Sequence, residues 1–100
     1  MGVKLLMTWD ILPAKEQEYF EFMVREFIPG IQKMGLEPSD AWFTVYGDQP
    51  QIMAAIRSTN LARLQQVLNS SEWQSLTAQL LDYVEELKYK VVEDRPGFQL

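Results

Sequence analysis

The strongest constraint on this chain lies between residues 40 and 57, where two apolar runs flank a turn. Residues 42–46 are rich in aromatic and β-branched side chains, Gly47-Asp48-Gln49-Pro50 supplies turn formers, and residues 51–57 run back. The pattern is a β-hairpin. One face carries Ala41, Phe43 and Val45 with Ile52, Ala54 and Ile56; the other carries Trp42, Thr44 and Tyr46 with Met53 and Ala55. An antiparallel sheet with one wet face alternates apolar with polar residues. Here neither face is properly polar, so both need cover. A chain of 100 residues has little material to supply it. The shortfall points to a partner and not to a reaction.

The length fits one domain over residues 1–100, and an apolar share of 47% fits a globular one. There is no cysteine and no histidine. Disulfides, thiolate nucleophiles and Cys-ligated metal centres are excluded, and the commonest general base and metal ligand is missing. Neither a metal nor any other cofactor is therefore expected. The net charge of −5 with scattered basic residues argues against nucleic acid. No run approaches the roughly 18 apolar residues of a membrane span, and Asp10 interrupts the apolar start before it reaches export-signal length. A cytoplasmic protein is expected.

Val3, Leu5, Met7 and Trp9 alternate with Lys4, Leu6 and Thr8, which predicts a first strand with a half-apolar second face. Asp10 and Pro13 are read as opening a helix over about residues 13–34. Phe20, Met23, Phe27, Ile31 and Met34 draw its buried stripe, with a kink or break expected at Pro29-Gly30 and a stop at Gly35. After the hairpin, Ser58-Thr59-Asn60 offers N-caps for a helix carrying Leu61, Leu64, Val67 and Leu68. A break at residues 69–71 follows, with Ser71 and Gln74 as a capping box. Trp73, Leu76, Leu80, Val84 and Leu87 continue the helical period, and a last strand is expected around Tyr89, Val91 and Val92 with Lys88 and Lys90 on its wetter side.

The order β-α-β-β-α-β gives an α+β class: a ferredoxin-like, four-stranded antiparallel sheet with helices on one face and spatial order 4-1-3-2. The other face stays bare in a monomer. A second copy of the same sheet is the simplest cover, so a homodimer packed sheet against sheet is expected. The tail, residues 95–100, carries Phe98 and Leu100 and is expected to lie across the partner.

Three stretches resemble the dimeric α+β barrel superfamily, in particular its NIPSNAP-like and antibiotic-biosynthesis-monooxygenase-like groups. They are Phe27-Ile28-Pro29-Gly30, then Gly35-Leu36-Glu37-Pro38 followed by Ala41-Trp42, and Ser70-Ser71-Glu72-Trp73-Gln74. The resemblance spans nearly the whole chain and implies fold and dimerisation before activity. It also implies, for enzymes of the family, cofactor-free oxidation of aromatic polyketides or degradation of haem. The haem branch holds iron with a histidine, which this chain lacks.

Trp9, Trp42, Tyr46, Tyr89 and Arg57 are the candidate pocket residues. The aromatic ones suit an apolar or aromatic ligand, and equally a core or dimer interface. Arg57 suits a ligand carboxylate, and equally a surface ion pair. Asp10 suits a base at a cavity mouth, and equally a turn or cap. Two function classes follow. One is a small-molecule-binding or structural module without metal or haem. The alternative is a cofactor-independent monooxygenase or isomerase acting on an aromatic or polyketide-like substrate. An enzyme needs a titratable group of tuned pKa beside an apolar cavity, and the inventory for one is thin.

Overall fold

Strand β1 (Val3–Ile11) sets the frame, because its side chains are buried at every second position. Leu5, Met7, Trp9 and Ile11 are fully enclosed on one face, while Lys4, Leu6, Thr8 and Asp10 are half-buried on the other. The computed structural model describes residues 2–46 and 49–93, with the backbone alone for residues 40–46 and 49–50. The elements that follow are α1 (Glu16–Phe22), a π-helical turn (Met23–Phe27), α2 (Ile28–Lys33), β2 (Glu37–Tyr46), β3 (Gln49–Ser58), α3 (Leu61–Leu68), α4 (Ser71–Leu80) and β4 (Val84–Glu93). The sheet order is β2-β3-β1-β4, with every neighbouring pair antiparallel. This is the ferredoxin-like α+β arrangement, with β2 and β4 as its edges.

The first helix departs from the expected stripe. Phe20 is 50% exposed, and Tyr19 and Phe22 take the buried positions, followed by Phe27 and Ile31. Those residues are spaced three, five and four apart. The five-residue step from Phe22 to Phe27 coincides with the π turn, whose wider i→i+5 repeat keeps one face in register across it. An unbroken α-helical period extrapolated backwards from Phe27 therefore lands one residue off. The helix begins at Glu16, not near Pro13, and Asp10 stays in β1. Pro29 causes no break. It sits in the first turn of α2, where the hydrogen-bond pattern has just changed and its missing N–H is tolerated.

Helix α2 stops as expected at Gly35, whose φ of +85° suits a residue without Cβ. Leu36 N–H donates to the Ile31 carbonyl at 3.0 Å and Gly35 N–H to the Gln32 carbonyl at 3.0 Å, the paired bonds of a Schellman cap. Asn60 caps α3 by accepting from Arg63 N–H at 2.8 Å. Ser70, not Ser71, caps α4, accepting from Trp73 N–H at 3.2 Å. Gly30 lets α2 and α4 close up within the helical layer: a Cβ there would lie 3.0 Å from Leu76 Cδ2.

Two bulges adjust the sheet. Ser39 is an extra residue in β2, and its hydroxyl donates to the Ala55 carbonyl at 3.1 Å. In β4, Glu86 and Leu87 together face Trp9 of β1, with Glu86 at φ +56°. Strand β4 starts at Val84, earlier than the helical reading of Val84 and Leu87 implied. The chain turns after Leu80, where Tyr83 N–H donates to the Leu80 carbonyl at 2.9 Å, so Val84 and Leu87 pack on the core from the edge strand. Of the expected turn Gly47-Asp48-Gln49-Pro50, Gln49 and Pro50 belong instead to β3, paired with Tyr46 and Val45, while Gly47-Asp48 and the expected placing of the tail fall outside the described residues.

The turn from β1 into α1 holds an alanine where glycine is favoured. Lys15 N–H donates to the Leu12 carbonyl at 3.1 Å, Pro13 leads the turn, and Ala14 has φ +64°. A left-handed alanine costs roughly 1–2 kcal/mol, of which glycine gives back part through its looser unfolded chain. Ala14→Gly is expected to raise stability by about 0.5–1 kcal/mol, read from urea unfolding.

Candidate functional site

Trp9 lies at the meeting point of sheet and helices. Its Nε1–H donates to the Tyr19 hydroxyl at 3.0 Å, and its ring stands edge-on to Tyr19 and Phe27 with centroids 6.4 and 6.2 Å away. Phe22 packs on Phe27 and stacks on Tyr83 at 5.1 Å, and Trp73 closes the cluster from α4. Among the described residues these side chains form the centre of the core between sheet and helices. Among the described residues no buried polar side-chain atom lacks a hydrogen-bond partner. Burial pushes the Tyr19 phenol from its ordinary 10.0 to about 12, with the Trp9 hydrogen bond pulling the other way.

The opposite face of the sheet is the candidate site. Its backbone register sets four ranks across the strands in the order β2, β3, β1, β4. They run Glu37–Arg57–Lys4–Val92, Asp40–Ala55–Leu6–Lys90, Trp42–Met53–Thr8–Lys88 and Thr44–Gln51–Asp10–Glu85. Directly opposed residues share a face. Leu6, Met53, Ala55 and Val92 give it apolar ground, and Met53 is 42% exposed. Cations gather toward one end and the β4 edge, while Asp10 and Glu85 stand together at the other. Lys4, Arg57 and Glu85 each have an interaction partner.

The five candidate pocket residues do not converge. Trp9 is sealed on the helix side. Arg57 is exposed in the first rank of the open face. Tyr89 pairs with Met7, which places it on the helix side of the edge strand, 57% exposed beyond the helices. Trp42 and Tyr46 stand opposite Met53 and Gln49 in register, and their side chains lie outside the described residues. Tyr19 escaped the reading of the sequence. The signal for it was the spacing Tyr19, Phe22, Phe27, Ile31, which fits a helix only if one turn is π.

Two open grooves lie on the outer, helical side. One, of about 490 Å³, runs between the residues from Arg25 to Met34 and α4; the second, of about 410 Å³, is rimmed by Glu18, Glu21 and Glu26 over Phe22 and Tyr83. Among the described residues no cluster of Asp and Glu is placed to hold a metal ion, and no helix is long and apolar enough to cross a membrane.

No family model matches the chain, and no curated protein matches it in sequence. Solved structures match its fold. An uncharacterized NIPSNAP domain protein from Burkholderia xenovorans shares 16% identity at a TM-score of 0.69, covering 99% of each chain. SnoaB, a cofactor-independent oxygenase from Streptomyces nogalater, shares 9% identity at a TM-score of 0.67, over 96% of this chain and 95% of that one. A dimeric protein of unknown function and ferredoxin-like fold from Bacteroides fragilis shares 13% identity at 0.61, over 92% and 95%. The resemblance to NIPSNAP-like and monooxygenase-like proteins thus holds at the level of the fold.

Tyr19 gives the core a pH signature. Its folded pKa of about 12 exceeds the ordinary 10.0, so the folded state holds the phenolic proton more tightly. That stability is intact below pH 10 and is lost as pH rises toward 12, a drop of roughly 2–3 kcal/mol at most. Tyr19→Phe removes this dependence and leaves the Trp9 N–H unpaired, at a cost of about 1–3 kcal/mol at neutral pH. Urea unfolding of both proteins between neutral pH and pH 12 checks each part.

Proposed function

We propose that the chain acts as one domain in a homodimer, sheet against sheet, in the cytoplasm, as a small-molecule-binding or structural module without metal, haem or catalysis. The observation that carries this reading is the contrast between the two faces of one sheet. On the helix side Trp9 is fully buried in the core, whereas the open side presents a half-buried Leu6 and an exposed Met53 in adjacent ranks. An apolar patch of this kind is an interface, and a second copy supplies a face of the same chemistry. A small apolar or aromatic ligand would then sit between the two sheets, near Arg57 and the register positions of Trp42 and Tyr46. Nucleic acid does not suit a chain of net charge −5. The Bacteroides fragilis protein of similar fold is described as dimeric, in line with this assembly.

The shared fold of SnoaB favours a second reading, cofactor-independent oxidation or isomerisation of an aromatic substrate. Against it stand the absence of histidine and cysteine and the sealing of Tyr19 under the helices. The first reading needs no acid or base.

Sedimentation at micromolar concentration is expected to give twice the chain mass of 11.7 kDa. Met53→Glu puts a charge on the open face without touching the helix-side core. It is expected to weaken the dimer at least tenfold, about 1.5–3 kcal/mol for the lost burial, with an unchanged far-UV spectrum. A wild-type monomer at that concentration contradicts the proposal.

A further inference from the structure

The bulge in β4 has a consequence for charge. Glu86 and Leu87 occupy the place of one residue, so the side-chain alternation of β4 shifts by one position past them. Lys88 and Lys90 consequently stand opposite Thr8 and Leu6, on the open face. Without the bulge the same lysines would point toward the helix side. Both are exposed, and their ammonium groups make no ion pair among the described residues. Lysine on an edge strand discourages pairing with other chains. That explains a lysine at an edge, but not a non-glycine residue held at φ +56° to aim two of them at Leu6 and Met53.

We propose that the open face binds an amphipathic carboxylate. The carboxylate lies between Lys88 and Lys90, beside the Thr8 hydroxyl, and the apolar body covers Leu6, Ala55 and Met53. Residues two apart on a strand are separated by roughly 7 Å, a span that lets two ammonium groups hold one carboxylate. The proposal rests on the sheet-on-sheet reading above, because the second sheet closes over the ligand. It also completes that reading: an ammonium enclosed between two sheets needs a counter-charge, and the ligand carboxylate adds one between Lys88 and Lys90 to that of Glu85 one rank away. On a chain of net charge −5, this pair is a local attractor for an anion at the β4 edge of the face.

The test is calorimetric titration of the protein with cinnamate and with cinnamyl alcohol, a neutral molecule of the same body, after sedimentation has fixed the assembly. Cinnamate is expected to bind about tenfold tighter or more than the alcohol. The double variant Lys88→Gln, Lys90→Gln is expected to lose that preference while sedimenting as a dimer. Equal affinities in a wild-type dimer, no binding of cinnamate, or a preference that survives in the double variant each overturn the carboxylate site and leave the dimer standing. A wild-type monomer overturns the sheet-on-sheet reading, and the site with it.

Discussion

The hydrogen bond from Trp9 to Tyr19 joins the central strand to the first helix at the most enclosed point of the molecule. Both partners are almost wholly buried, and each satisfies the other's polar atom where water cannot. For Tyr19 to reach Trp9 while Phe27 and Ile31 stay on the same helical face, the helix must take up one extra residue. The π turn does this. The aromatic cluster that results, from Trp9 through Phe27 to Trp73, occupies the centre of the space between the layers.

The same economy explains the open face. One helical layer covers one side of a four-stranded sheet, and the alternation of β1 commits its largest side chains to that side. The second side is neither a wet surface nor a finished core. Its apolar centre is bordered by cations along β4 and by Asp10 with Glu85 at one end. Such a mixture suits a surface that is covered part of the time, or covered by something that carries charge of its own.

Much of the fold is legible in the residues. The hairpin register pairs Phe43 with Ile52 and Trp42 with Met53, as the alternation of its two runs requires. The break between α3 and α4 follows from Asn69-Ser70-Ser71, and Gly35 marks a helix end because few other residues accept its φ. Two of the features that stayed hidden are single-residue insertions. The π turn moves burial from Phe20 to Tyr19, and the β4 bulge decides which side Lys88 and Lys90 face. Neither changes composition, and each shifts a period by one, so a regular repeat read through it gives the wrong face. Leu80, Val84 and Leu87 fit a helical spacing and also serve a turn followed by a strand. Tertiary pairing of Val84 with Ile11 decides between them. For the candidate site, Arg57 was legible as an exposed strand residue. The sealing of Trp9 was not, because a tryptophan alternating on a strand gives no sign of which layer will cover it.

The central claim is that the open sheet face, and no other apolar surface, is where this chain meets its partner. Phe20 at 50% and Val24 at 69% exposure form a rival patch one helical turn apart. Isotope-filtered nuclear Overhauser spectroscopy on a mixture of labelled and unlabelled chains separates the two directly. Intermolecular contacts from the methyl groups of Leu6 and Met53, with none from Phe20 or Val24, are the predicted result. Contacts from Phe20 and Val24 alone, or no intermolecular contacts at any apolar residue, would contradict the account.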